Sequence, residues 1–130
     1  VFFQTDVLEE FKKAGIERQY HDGETIFLDQ EPSTGMYLIL KGEVSIMKRQ
    51  ADGTNKHITT ISTGETLGEV SLLLEKPHTA TVVAKTEVEA LLLTQSRLRL
   101  LKQDDPALAL RLYEILATTV ARHLYERPWG

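Results

Sequence analysis

The stretch from Ile16 to Leu93 most limits what this chain can fold into. Short segments rich in β-branched and aromatic residues recur at 18–21, 25–28, 36–40, 44–49, 57–61, 81–84 and 88–93, with glycines between them. Short strands at close, regular spacing predict an antiparallel sandwich or barrel. The turns carry their own chemistry. Asp52-Gly53 supplies the positive φ of a tight hairpin, Lys41-Gly42 does the same, and Asp22-Gly23 links the first two strands. "Gly-Glu" occurs at Gly23, Gly42, Gly64 and Gly68, which marks corners of one sheet rather than a sequence repeat.

Helices flank this region. Residues 6–14 read as a short helix, with Val7, Leu8 and Phe11 at helical spacing and Gly15 as its stop. Thr94 is an N-cap for 95–102. Asp104-Asp105-Pro106 is a stronger start, a capping carboxylate followed by Pro at the first helical position. The helix after it runs about six turns. Leu108, Leu112, Ile115 or Leu116, Thr119 or Val120, and Leu124 line one side of it. That stripe either packs on the barrel or forms a dimer or lid helix.

Composition excludes several functions. A chain of 130 residues is one domain, large enough to bury a core without staples. It has no cysteine, so disulfides, thiolate metal sites and cysteine nucleophiles are absent. The net charge is −4 and the Lys and Arg residues are scattered, against the basic face that nucleic-acid binding needs. No apolar run approaches the ~20 residues that span a bilayer, so membrane insertion is not expected. "VFF" is too short for a signal peptide, and without an initiator Met the chain is expected to be a piece of a longer protein. No His-x-His pair of a cupin-type metal site, no Ser-His-Asp spacing and no P-loop is present, so catalysis is not expected.

The segments "HDGETIF", "MYLILKGEVSI" and "LGEVSLLLEKPHTATVVA" fall in an order that resembles the cyclic nucleotide-binding domain family over about residues 7–124. The resemblance implies an antiparallel β-roll, jelly-roll-like and mainly β, with an N-terminal helix and C-terminal helices. It implies one domain over residues 1–130, with helix and roll at about 7–94 and C-terminal helices at 95–126. It also implies a pocket at 68–81 for cAMP or cGMP, without metal. Leu67, Gly68, Glu69, Val70, Ser71, His78, Thr79 and Ala80 are the expected binding residues. Gly68 lets the backbone approach the ligand closely, Glu69 accepts from the ribose 2′-hydroxyl, and the Thr79 hydroxyl bonds phosphate or guanine.

Two positions depart from the family pattern. His78 follows Pro77 where the family carries the arginine that pairs with phosphate, and Gln30 stands where it carries a glycine. Arginine is always charged and presents a rigid fork to two oxygens, whereas histidine is mostly neutral near pH 7. Losing such a contact costs roughly 2–5 kcal/mol. Lys76 is the nearest replacement cation. His78 itself is a solvated turn residue, a phosphate-paired imidazolium, or a metal ligand without a second ligand at the right spacing. Glu69 is the ribose acceptor or a loop carboxylate capping local N–H groups. Leu72, Leu73 and Leu74 are expected in core and pocket wall, and His21, His57 and His123 receive no role.

The expectation is therefore a cytoplasmic regulatory module, or one on the cytoplasmic side of a membrane protein. It binds cyclic nucleotide at weakened affinity, and the ligand favours a closed C-terminal helix that acts on a fused effector domain. The same helix is the expected surface for a homodimer. The alternative is the same fold with an idle pocket, serving in assembly or protein interaction.

Overall fold

The computed structural model describes residues 5–126, with side chains from Leu8 onward. The "VFF" start and the side chain of Val7 lie outside the described residues. The order is α1 (Thr5–Ala14), β1 (Ile16–Tyr20), β2 (Thr25–Phe27), β3 (Met36–Lys41), β4 (Glu43–Arg49), β5 (Asn55–Ser62), β6 (Thr66–Leu67), α2 (Glu69–Leu74), β7 (Thr81–Ala84), β8 (Val88–Leu93), α3 (Gln95–Asp104) and α4 (Pro106–Glu126).

The strands form two antiparallel sheets, ordered β1-β8-β3-β6 and β2-β7-β4-β5, which close into the expected roll. The first sheet is the middle layer of the molecule. Tyr37, Ile39, Val88, Ala90 and Leu92 face the second sheet in one core. Met36, Leu38, Leu91 and Leu93 face the helices in another. Burial on both faces explains why β3 and β8 read as nearly unbroken apolar runs instead of alternating ones.

The caps form as their chemistry dictates. Thr94 Oγ1 accepts from the Arg97 N–H at 3.1 Å, and Asp105 Oδ1 accepts from the Leu108 N–H at 3.2 Å. α4 packs against α3, α1 and α2. Its buried residues are Ala109, Leu112, Ile115, Leu116 and Thr119, the first four of them within one core. The stripe expected on α4 thus serves the domain's own core over most of its length. Leu124 departs from it and is 60% exposed.

Three local expectations need correction. β6 had no sequence signal, because a two-residue strand is too short for periodicity; pairing of Tyr37 with Leu67 and Leu38 with Thr66 makes it. The family resemblance puts the first turn of a short helix at Val70, Ser71 and Leu72, whereas α2 begins one residue earlier, at Glu69. Of the three leucines after Ser71, Leu72 is buried while Leu73 and Leu74 are exposed, since a helix of six residues has one face on the roll.

Candidate functional site

β6 brings the chain up against β3, and Gly68 turns it into α2. Gly68 has φ 86°, and a Cβ there would lie 2.7 Å from the Gly35 carbonyl oxygen. Both the left-handed backbone and the close crossing require glycine. Glu69 follows immediately and is 5% exposed, unusual for a carboxylate. At the other end of α2, Glu75 adopts φ 55° as a left-handed cap. The Lys76 N–H donates to the Ser71 carbonyl at 3.2 Å, and the Ser71 hydroxyl donates to the Pro77 carbonyl at 3.3 Å. The Gln95 amide donates to the Leu72 carbonyl at 3.2 Å, tying α2 to α3.

His78 is neither the solvated turn residue nor an open cation. It is 1% exposed, and its ring stacks on Phe27 with centroids 3.6 Å apart and planes inclined by 10°. Its backbone N–H donates to the Glu31 carbonyl at 2.9 Å, and its carbonyl accepts from the Gln30 N–H at 2.8 Å. Gln30 sits at φ 71°, which explains why a glycine suits that position. Nε2 accepts from the Thr34 backbone N–H at 3.3 Å. An accepting nitrogen carries no proton, so the ring is the neutral tautomer protonated at Nδ1. Burial holds the imidazole below the ordinary histidine range, and the Glu31 carboxylate only partly offsets this.

All eight residues expected at the site border one cleft of about 140 Å³. Val70 and Thr79 are exposed. Phe27, Ile46 and Val82 add apolar wall that the sequence reading left out. His123 of α4 also reaches the cleft, where its Nδ1 pairs with Glu69 Oε1. This corrects the reading that gave His123 no role. A signal was present: His123 follows the buried Thr119 by four residues and so shares its face of α4.

The cleft accepts hydrogen bonds and lacks a fixed positive charge. Glu69 Oε2 and Thr66 Oγ1 are buried without partners. No Lys or Arg among the described residues lines it. Lys76 is exposed and outside its walls. Lys48 touches a residue of its rim: its Nζ donates to the Thr79 carbonyl at 2.5 Å and pairs with Asp29 at 3.5 Å. No group of three or more His, Asp or Glu that could hold a metal occurs among the described residues. Nor is any described helix long and apolar enough to cross a membrane.

The chain is similar to known proteins in sequence and in fold. The chain is 31% identical over 100 residues to the CRP-like cAMP-activated global transcriptional regulator of Mycobacterium tuberculosis, a match to 77% of this chain and 45% of that protein. The match thus spans less than half the length of that relative. The N-terminal domain of a transcriptional regulator from Streptomyces coelicolor superposes with a TM-score of 0.75 at 27% identity, over 95% of this chain and 86% of that one. The Catabolite Activator Protein of Thermus thermophilus superposes with a TM-score of 0.73 at 25% identity, over 95% of this chain and 58% of that one. The profile of the cyclic nucleotide-binding domain matches residues 17–105. The chain belongs to the cyclic nucleotide-binding domain family, a non-catalytic regulatory domain.

Proposed function

We propose that the cleft takes a cyclic nucleotide, cAMP or cGMP, at low affinity, and that α4 passes its occupancy to a fused effector. Residues 1–130 are read as one domain of a larger protein that acts in the cytoplasm or on the cytoplasmic side of a membrane protein. The carrying observation is the contact between His123 of α4 and Glu69 in the wall of the cleft. Through it, whatever happens at Glu69 is felt by the last turns of α4. A ligand shifts a helix only by its differential affinity for two positions, and Glu69 is where that difference arises. The relatives named above that are transcriptional regulators support a fused effector.

Low affinity follows from position 78. A neutral imidazole stacked on Phe27 gives phosphate no charge-assisted partner. The roughly 2–5 kcal/mol of a desolvated charge pair is a loss of about 30-fold to several-thousand-fold. Calorimetric titration with cAMP and cGMP should therefore give dissociation constants weaker than about 10 µM. Nanomolar binding by the unmodified protein would overturn the proposal. His78→Arg should tighten binding at least tenfold, about 1.4 kcal/mol, because a guanidinium can also stack on Phe27 while offering its fork.

A second reading rests on the same stacked His78. The cleft no longer serves cyclic phosphates, and the domain works in assembly or protein interaction. Failure of both cyclic nucleotides to bind even the His78→Arg protein selects it.

A further inference from the structure

Among the described residues, the side chains that border the cleft carry no net positive charge. Besides His78, its ionisable residues are Glu69 and His123, and these two pair. A protonated His123 cancels the carboxylate, and a neutral one leaves it negative. His78 adds no charge, because its Nε2 accepts from the Thr34 N–H and its ring is buried against Phe27. The cation at the rim is already balanced. Lys48 Nζ donates to the Thr79 carbonyl and pairs with Asp29, whose side chain is 5% exposed. α2 has six residues and opens on Glu69 itself, so a carboxylate offsets the partial positive charge of its first turn.

The donors that the cleft offers are neutral. Thr66 borders it, is 2% exposed, and has a buried hydroxyl without a partner. His78 Nδ1 holds the ring proton and has no hydrogen-bond partner among the described residues, since both contacts of the ring fall on Nε2. The Ser71 hydroxyl, by contrast, is taken by the Pro77 carbonyl. Phe27, Ile46 and Val82 supply apolar wall beside these donors.

Charge decides what such a surface takes. An ion buried without a partner costs far more than an unpaired amide or hydroxyl. Neutral donors return only part of that cost, because hydrogen bonds that involve a charge on both sides are the strong ones. An uncharged ligand avoids the cost and still meets the Thr66 hydroxyl, the His78 Nδ1–H and the apolar wall. Val70 and Thr79 at the rim are exposed, so a phosphate there keeps part of its water. That holds the expected difference to a few-fold.

We infer that the cleft prefers an uncharged nucleoside to the cyclic phosphate built on it, with Thr66 donating to an acceptor atom of the nucleoside. This takes its site and its nucleoside framework from the reading above, and changes which form of the ligand fills the cleft best.

The test is calorimetric titration of the full chain with adenosine, guanosine, cAMP and cGMP. The better nucleoside should bind wild type about threefold or more tighter than its own cyclic phosphate. His78→Arg should invert that order, tightening the cyclic phosphate while the nucleoside stays within about twofold. Thr66→Val removes a buried unpaired hydroxyl, so it should not lower the melting temperature, yet it should weaken the nucleoside about threefold or more. If His78→Arg fails to fold, the wild-type order and Thr66→Val still decide. A cyclic phosphate that binds wild type more tightly than its nucleoside overturns the inference and leaves the cyclic-nucleotide reading standing. Nucleoside affinity unchanged in Thr66→Val overturns it too, since the nucleoside then sits elsewhere. Nucleoside binding that Thr66→Val weakens, with no cyclic nucleotide bound even by His78→Arg, upholds the inference and ends the cyclic-nucleotide reading. Binding of none of the four ends both.

Discussion

An arginine buried at position 78 would have to keep its charge; a histidine can shed one, and burial against Phe27 makes it do so. That difference has a consequence for stability. The folded pKa of His78 lies below its unfolded value, near 6.5. The unfolded state therefore binds more protons in this range, and stability rises with pH. His78 contributes fully above about pH 6.5, and its contribution is lost as pH falls through the folded value. His78→Gln, which keeps a polar side chain without the titration, should be less stable than wild type by about 1–3 kcal/mol at pH 7.5. In urea melts that gap should narrow steadily as pH drops below about 6.5. A gap that stays constant down to pH 5 would mean that His78 titrates alike in both states. The same residue marks the limit of reading a site from sequence. "PHTATV" shows that the arginine is missing, but nothing in it shows that the ring turns inward onto Phe27, about fifty residues earlier.

Elements differ in how much of themselves they display in sequence. α4 was legible because Asp105, Pro106 and a long apolar stripe act locally, and β8 because Ala90 to Leu93 is apolar on both faces. β6 was not, since it exists only through its bonds to β3. That short strand is nonetheless what sets Gly68 and Glu69 in place. The role of the α4 stripe was open in the sequence, because helical periodicity shows a face but not its partner. The structure answers it differently along the helix. Leu116 is 0% exposed within the core, whereas Leu124 is out in solvent. Leu116→Glu should bury an unpaired carboxylate and cost 3 kcal/mol or more, of the order of breaking a buried ion pair, about 3–5 kcal/mol. Leu124→Glu should change stability by no more than about 0.5 kcal/mol. Thermal melts of the two variants check this, with light scattering alongside. If Leu116→Glu stays fully folded and merely alters molecular mass, the stripe is an interface after all. If Leu124→Glu lowers the mass, pairing of two copies runs through the exposed end of α4.

At the scale of the molecule, the sheet β1-β8-β3-β6 divides two cores, and only one of them belongs wholly to the roll. The family profile ends at residue 105, just before α4. The profile therefore stops short of the element that covers the outer face of that sheet. Ala109, Leu112, Ile115 and Leu116 of α4 close the core over Met36, Leu38, Leu91 and Leu93. Fully burying a leucine-sized side chain is worth about 1.5–3 kcal/mol. Removing α4 deletes three such side chains and uncovers those on the sheet beneath them. The loss is then of the order of 10 kcal/mol, comparable with the whole stability of a domain, about 5–15 kcal/mol. A chain ending at Asp105 should accordingly lose its cooperative melt and its near-ultraviolet dichroism, while keeping much of its β-sheet signal, or should aggregate through the exposed sheet face. A cooperative transition within about 5 °C of the full chain, roughly 1 kcal/mol for a domain of this size, would show that the roll stands alone. α4 would then be an appendage free to move as one body. If instead the truncated chain fails as expected, the core holds α4 as far as Thr119. Any signal from the cleft must then travel through the few residues beyond it, where His123 meets Glu69.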